Sequence, residues 1–308
     1  MRPPRPPRSP RLSLAALPLL LAAAASAQDP PEPLRPVLGE PSSDLVQTDD
    51  TLLDVAHRQR LGFDAVTRLN PHLDVWIPEP GEVVRLPTQF IPPDGPERGL
   101  VINVPEMRLY DYTQGPEPEL FALGIGDEVD PTLQGEFRIG AKRRDPTWFV
   151  PESIRAERPD LPPAVPPGPE NPLGTRWMTI GSTSYGIHGT NNPWSIGRQA
   201  THGCLRLYND EMERLYERVP TRTPVRLGYQ TVKIGQLRGG IYVEAHPDVY
   251  RRVADAAADA IQRLAELGLL ERVDPAALER AIREARGAPV RVGALPDAPD
   301  QPTSKPAS

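Results

Sequence analysis

The sequence predicts a mainly β fold, in which a β-sandwich or barrel-like domain carries one packed helix. Three observations favour this class: short apolar or alternating segments recur from Gly99 onward, glycine and proline separate them, and one amphipathic segment interrupts the series. A small α+β domain is predicted before this region and a helical extension after it. The predicted strands cover residues 100–104, 107–112, 120–124, 137–141, 177–180, 185–188, 224–227 and 241–244.

The single helix of the strand-rich region is predicted between Asn209, a suitable N-cap, and Pro220, which ends it. Acidic residues follow Asn209 directly and favour the positive end of the helix dipole. Because its apolar residues follow the i, i+3, i+4, i+7 spacing, we expect this helix to pack on the sheet. These residues are Met212, Leu215, Tyr216 and Val219.

Residues 44–92 predict a separate unit of two helices and a strand with its own core. Asp50 is a candidate cap for the first helix, which would end near Arg60. The second helix, residues 63–69, would end at the following Asn-Pro pair, and residues 82–86 alternate like a strand.

The C-terminal part carries no recognisable chemical motif. Residues 231–290 predict a strand followed by a helical extension, in which Asp274 caps the second helix. Residues 291–308 are poor in apolar side chains and are expected to form a disordered tail.

The N-terminus predicts an export signal. A basic segment precedes the short apolar run 12–24, and the small residues Ala25-Ser26-Ala27 then offer a cleavage site, so residues 1–27 are interpreted as a signal peptide. An uncleaved membrane anchor is the alternative, although the apolar run is short for a membrane span. Residues 28–43 are rich in proline and predict a linker. The basic residues are Arg2, Arg5, Arg8 and Arg11.

The charge balance excludes two classes of partner. The formal net charge is −6, and cleavage after residue 27 would remove four arginines and no acidic residue. Such an acidic chain is not expected to bind nucleic acid. It is also not expected to stay inserted in or bound to an anionic membrane after signal cleavage.

The chain contains one cysteine, Cys204. Exported proteins usually carry cysteines in disulfide pairs, so a single one is inert, bonded to another chain, or reactive. Glycine and polar residues flank Cys204, which disfavours an inert core thiol. His188 and His202 lie nearby in the sequence. An imidazole can take the thiol proton, hold the resulting ion pair and later protonate a leaving amine.

Two further features of this segment bear on its chemistry. Gly203 permits a turn whose backbone N–H groups can bind an oxyanion. Zinc held by His188, His202 and Cys204 is the alternative, but their spacing matches no common zinc pattern. We therefore expect neither a metal nor a cofactor.

The same residues carry a family resemblance. His188-Gly189 and, after a spacer, Thr201-His202-Gly203-Cys204-Leu205-Arg206-Leu207 resemble the signature of the YkuD-type L,D-transpeptidases. Residues 97–230 would then form the catalytic domain. Asn171-Pro172-Leu173-Gly174 is similar to the periplasmic subgroup that acts on murein, whereas Thr132-Leu133-Gln134-Gly135 lacks the proline common in this family.

The N-terminal unit, residues 44–92, is similar to a LysM domain, a peptidoglycan-binding fold. An unrelated helical spacer is the alternative, because Asp49 stands where that family usually has glycine. On the LysM interpretation, a chain that begins near Pro93 should keep catalysis on small soluble stems and bind less to murein sacculi. The matching residues are Asp50-Thr51-Leu52, Ala56, Leu69-Asn70-Pro71 and Gly81.

The resemblance also implies a mechanism. Cys204 would attack the carbonyl between the third and fourth residues of a murein tetrapeptide stem, D-alanine would leave, and the thioester would pass to an amine. His188 would accept and donate the proton. Backbone N–H groups near Gly203 would stabilise the oxyanion.

Other residues of the motif would support this chemistry. His202 would orient the loop or assist the thiolate, and Gly189 and Thr201 belong to the same supporting set. Arg206 would pair with a substrate carboxylate, and a buried structural ion pair is the alternative. Trp194 and Asn192 would line the cleft.

The expected partner is peptidoglycan in the periplasm of a Gram-negative envelope. The accepting amine would come from a second stem or from a lysine of an outer-membrane lipoprotein. Two other functions stay open. One is an L,D-carboxypeptidase that gives the thioester to water, and the other is a non-catalytic wall-binding protein, against which the intact Cys204 and His188 argue.

Overall fold

A computed structural model describes residues 34–295. The predicted signal peptide, residues 1–27, lies outside the described residues, as do the first part of the predicted linker and residues 296–308 of the predicted tail. No helix within the described part of the chain is long and apolar enough to cross a membrane.

The regular elements are numbered in chain order. Strands β1 to β18 are Arg35–Pro36, Ser42–Leu45, Val83–Leu86, Leu100–Asn103, Arg108–Asp111, Glu119–Ala122, Ile125–Gly126, Gly135–Arg144, Trp148–Phe149, Ala164–Val165, Arg176–Ile180, Gly186–His188, Gln199–Thr201, Leu205–Arg206, Pro224–Gly228, Val232–Leu237, Gly240–Ala245 and Val290–Ala294. Helices α1 to α6 are Leu52–Arg58, Phe63–Leu69, Glu152–Glu157, Asn209–Arg218, Ala256–Glu266 and Pro275–Glu284. Short 3-10 turns cover Val104–Glu106, Pro193–Ser195 and Leu270–Arg272.

An eight-stranded sheet forms the centre, with the strand order β14-β12-β11-β8-β15-β4-β5-β6. Its two edges meet, because Gly124, just after β6, exchanges two backbone hydrogen bonds of 2.9 Å with Arg206 of β14. The closed sheet surrounds one large apolar core, which includes Ile102 of β4 and Leu109 of β5. This arrangement confirms the predicted mainly β, barrel-like class.

The predicted packed helix is also confirmed. Helix α4 buries Met212 and Leu215 in the core of the central sheet. Its start differs from the prediction, because Tyr208 is the N-cap residue and makes no side-chain capping bond. The side chain of Asn209 instead bonds to the backbone of Thr190, which anchors the end of β12.

The N-terminal unit is built from β2, α1, α2 and β3, with β2 and β3 antiparallel. The first helix begins one residue later than predicted, because Thr51 forms a capping box with Asp54. Part of the predicted linker 28–43 is wrong: β1 and the start of β2 lie in it. A proline is tolerated in β1 because this strand is the edge of its sheet. The core of the unit consists of Val46, Leu52, Val55, Ala56, Val66, Leu73, Val84 and Leu86.

The C-terminal extension is more than a strand with helices. Strands β1, β16, β17 and β18 form a four-stranded sheet, on which α5 and α6 pack with their apolar faces. Asp274 caps α6 as predicted, by accepting a hydrogen bond from the N–H of Ala276. The tail predicted from residue 291 is wrong for residues 291–294, because β18 pairs with β17 and buries Val292. The alternation in β18 covers only five residues and continues directly into a polar sequence, so it gives no clear strand signal.

Candidate active site

Strand pairing brings His188 and the Cys204 segment together. Strands β12 and β14 are parallel neighbours, with His188 opposite Arg206 and Ile187 opposite Leu205. Ile187 and Leu205 point into the core. Since side chains alternate along a strand, His188 and Arg206 point to the other face, and Cys204, two residues before Arg206, shares it.

His188 is held as a neutral base. Its Nδ1 lies 2.6 Å from the carbonyl oxygen of Gly189, so Nδ1 carries the proton and Nε2 keeps its lone pair. The imidazole stacks on Trp177, with ring centroids 5.6 Å apart. Burial lowers the pKa of His188 to about 3, and the positive charge of Arg206 acts in the same direction.

Burial also acts on the Cys204 thiol. It raises the pKa of Cys204, although a hydrogen bond from the Gly186 backbone and the charge of Arg206 both lower it. Burial thus disfavours the charged form of both side chains, the thiolate of Cys204 and the imidazolium of His188.

The turn before Cys204 presents free backbone donors. Thr201 Oγ1 donates to the carbonyl of Cys204 at 2.7 Å and fixes the turn. Gly203 has φ +91°, and a Cβ there would lie 2.3 Å from the ring of Tyr185, so only glycine fits. Within residues 34–295 the N–H groups of Gly203 and Cys204 have no acceptor. They can therefore donate to the oxyanion that forms on a carbonyl oxygen when the sulfur attacks the carbonyl carbon.

Arg206 has no acidic partner among the described residues. Its Nε is buried without a hydrogen-bond acceptor, and burial lowers the pKa of its guanidinium. The buried structural ion pair weighed from the sequence is not formed. A guanidinium in this position is available for a carboxylate brought by a substrate.

Two of the predicted site residues point elsewhere. His202 is exposed, and its Nε2 lies 3.4 Å from Glu157 of α3 and makes no contact with the thiol. His188, His202 and Cys204 therefore do not converge as zinc ligands would. Trp194 packs against His57 of the N-terminal unit, with ring centroids 4.8 Å apart.

Sequence reasoning missed three residues that shape the site. Trp177 lies directly opposite His188 in the β11–β12 pair, and Tyr185 covers Gly203. Asn209 binds the N–H and the carbonyl of the residue after Gly189, at 3.0 and 2.8 Å. Only the register of β11 against β12 would have revealed the first of these, and no sequence signal marks the other two.

Comparison with known proteins agrees with this geometry. The YkuD family, the L,D-transpeptidase catalytic domain, matches residues 97–227. The chain is 33% identical to "Probable L,D-transpeptidase YbiS" of Escherichia coli K12, over 77% of this chain and 81% of that protein. It is 32% identical to "Probable L,D-transpeptidase ErfK/SrfK" of Salmonella typhimurium, over 84% of this chain and 88% of that protein.

Among solved structures, an L,D-transpeptidase from Mycobacterium tuberculosis H37Rv matches with a TM-score of 0.35 and 16% identity, over 46% of this chain and 61% of that one. The family match covers the strands that carry His188 and Cys204. Together with relatives that are similar over most of their length, it establishes that this chain belongs to the L,D-transpeptidase family.

Proposed function

We propose that the protein transfers peptidoglycan tetrapeptide stems through a thioester on Cys204. The observation that carries this proposal is the pairing of β12 with β14, which ends one strand at His188 and begins the next directly after Cys204, whose N–H group and that of Gly203 have no acceptor among the described residues. The nucleophile, the proton carrier and the oxyanion donors of acyl transfer are all present.

Acylation starts from the Cys204 thiol and the His188 imidazole. As Sγ of Cys204 bonds to the carbonyl carbon between stem residues three and four, its proton passes to Nε2 of His188. The carbonyl oxygen becomes an oxyanion and accepts hydrogen bonds from Gly203 and Cys204 N–H. The imidazolium then protonates the departing nitrogen, the amide C–N bond breaks, and D-alanine leaves.

Deacylation reverses these roles. An amine from a second stem, or from a lipoprotein lysine, attacks the thioester carbon and gives a proton to His188. The tetrahedral intermediate collapses, the new amide forms and the Cys204 thiol is restored. Arg206, unpaired beside the sulfur, would hold a carboxylate of the stem and fix its orientation. Export to the periplasm and wall binding by the N-terminal unit belong to the same proposal.

Mass spectrometry tests the proposal directly. The full-length protein is incubated with purified disaccharide-tetrapeptide, alone and with a lipoprotein-derived lysine peptide. Cross-linked dimers or peptide adducts are expected, with an acyl-enzyme mapped to Cys204. Tripeptide alone would indicate hydrolysis. Unchanged substrate with a folded protein would refute the function.

Two variants separate the roles of the residues. Cys204→Ala should abolish both acyl-enzyme and product. His188→Ala should lower the acylation rate by about 10²–10⁴-fold, as losing a general base does. His202→Ala is the matched histidine control, and we expect only a small change because its ring faces Glu157. A larger loss in His202→Ala than in His188→Ala would reverse the assignment.

A further inference from the structure

The active site is completed by a loop that the N-terminal unit contacts. We name residues 189–198 the linking loop: they connect His188, at the end of β12, to β13. Strand β13 has three residues and ends at Thr201, whose hydroxyl bonds to the carbonyl of Cys204. A displacement of the linking loop would therefore move Thr201 and, through this hydrogen bond, the backbone of Cys204.

Helix α2 of the N-terminal unit donates hydrogen bonds to this loop. The N–H groups of Phe63 and Asp64 each bond, at 3.2 Å, to the carbonyls of Ile196 and Gly197 respectively. The N–H groups of a helix's first turn have no acceptor inside the helix, so the loop carbonyls serve as their acceptors. The contact is thus part of the fold of both partners.

Two glycines allow the backbones to touch. Gly197 has φ +78°, and a Cβ built on it would lie 2.3 Å from the Cα of Gly62. A Cβ on Gly62 would lie 3.0 Å from the Cα of Gly197, which is tighter than ordinary van der Waals contact. No side chain fits between the two backbones without moving one of them.

Side chains extend the contact on both sides of the glycines. The Arg198 guanidinium lies 4.0 Å from the centroid of the Phe63 ring, a cation–π distance. His57 packs against Trp194, and the Tyr208 hydroxyl donates to the carbonyl of Leu61 at 3.0 Å. The N-terminal unit therefore contacts the second half of the linking loop, from Trp194 to Arg198, and also Tyr208, the N-cap residue of α4.

We infer that the N-terminal unit is a positioning element of the catalytic site, which sets the linking loop and through it the place of Cys204 against His188. This inference rests on the proposed function of that pair. It differs from the sequence-based expectation that a chain beginning near Pro93 keeps its catalysis. The contacts around Gly62 make the unit part of the active site's support, beyond any binding to the cell wall.

The test is Gly62→Val in the full-length chain. Gly62 has φ −75° and ψ 134°, a conformation that valine adopts readily, so the strain falls on the contact with Gly197 alone. With a soluble tetrapeptide we expect kcat to fall by about 10-fold or more and KM to stay unchanged, because a misplacement near 1 Å can cost about 10²-fold. Gly62→Ala should fall between Gly62→Val and wild type.

A substrate-free measurement separates this inference from the proposed function. The pH profile of Cys204 alkylation by iodoacetamide should shift in Gly62→Val, since a displaced thiol changes its burial, its hydrogen bond with the Gly186 backbone and its distance from Arg206. Thr48→Val, an exposed residue of the same unit, is the matched control and should behave as wild type.

The outcomes decide the inference. A folded Gly62→Val protein with the wild-type kcat and alkylation profile would overturn it, as would an equal loss in Thr48→Val. Where Gly62→Val fails to fold, His57→Ala replaces it, because that change removes the ring contacts with Trp194 and Tyr208 and leaves the backbone intact. It should lower kcat less than Gly62→Ala, and unchanged kcat and alkylation would equally refute the inference. A transferase-inactive wild type with a shifted alkylation profile in Gly62→Val would refute only the proposed function.

Discussion

The units that flank the central barrel are attached to it by different chemistry. The N-terminal unit meets the linking loop through backbone hydrogen bonds, two glycines and aromatic rings. The C-terminal sheet meets the barrel through buried charges. Lys233 Nζ of β16 lies 2.7 Å from Glu106 of the barrel and 3.0 Å from Glu244 of β17, and His246 lies 2.8 Å from Glu244.

We call these two attachments the N-terminal joint and the C-terminal joint, and the difference between them indicates what each one does. A buried carboxylate is stable only with its partner, and although burial raises the pKa of Glu106, Lys233, His246 and Arg108 together hold it at about 2. Glu106, Glu244 and His246 could also surround a cation, but the Lys233 ammonium already lies among them. The C-terminal joint thus stabilises the fold, whereas the N-terminal joint acts on the loop that positions Cys204.

The largest effect on stability is expected from Lys233→Met. This change leaves Glu106 and Glu244 buried without their main cation, and breaking such a pair costs about 3–5 kcal/mol. The loss should be smaller at low pH, because without the Lys233 ammonium the burial of Glu106 favours its neutral form in the variant. Urea unfolding at pH 5 and pH 8 measures it, and Cys204 alkylation of the folded fraction should match wild type. Stability within about 1 kcal/mol of wild type would show that the ionic cluster is not the joint.

An intermediate effect is expected at the N-terminal joint from Glu211→Gln. Burial raises the pKa of Glu211 to about 8, its Oε2 has no hydrogen-bond partner, and it borders a cavity of about 270 Å³ between the N-terminal unit and the barrel. Because the folded state binds the proton more tightly than the unfolded state, the free energy of unfolding should fall as pH rises from about 4.5 to about 8.

The neutral amide removes this penalty. We expect Glu211→Gln to be more stable than wild type by on the order of 2 kcal/mol at pH 8, since each pKa unit corresponds to about 1.4 kcal/mol and water in the cavity relieves part. The gain should vanish near pH 5. Thermal unfolding across this range measures it, with Glu213→Gln on the same helix as control. A pH-independent difference would show that Glu211 is not the titrating group.

The contacts that form the two joints could not be predicted from the sequence, whereas much of the candidate site could. Cys204, His188 and Gly203 lie within one short motif whose chemistry can be argued locally. The contact of Gly62 with Gly197 joins residues that are far apart in the chain, and neither glycine differs in sequence from one that serves a turn. Lys233 likewise looks like an ordinary strand residue until its partners are known.

The strands show the same limit. Alternation predicted the strands of the central barrel and helical spacing predicted α4, because their apolar faces are long enough to produce a pattern. Strands β1 and β18 are short edge strands, and their pairing with β16 and β17 is supplied by tertiary contacts. The pKa shifts of Cys204 and His188 also could not be predicted from the sequence, since they depend on how deeply each group is buried.

The smallest effect is expected from Arg60→Ala, also at the N-terminal joint. Arg60 Nη2 lies 3.0 Å from Asp210 Oδ2, but the two side chains are 40% and 58% exposed, so water screens the pair. Such pairs contribute about 0.2–1 kcal/mol. We expect a loss of stability in that range that shrinks in 1 M salt, with kcat unchanged because the Gly62–Gly197 contact stays intact. A double-mutant cycle with Asp210→Asn, read by urea unfolding and by kcat, measures the coupling. A fall in kcat comparable to that of Gly62→Val would mean that the position of the linking loop depends on this surface charge pair. The N-terminal joint would then depend on charges, as the C-terminal joint does.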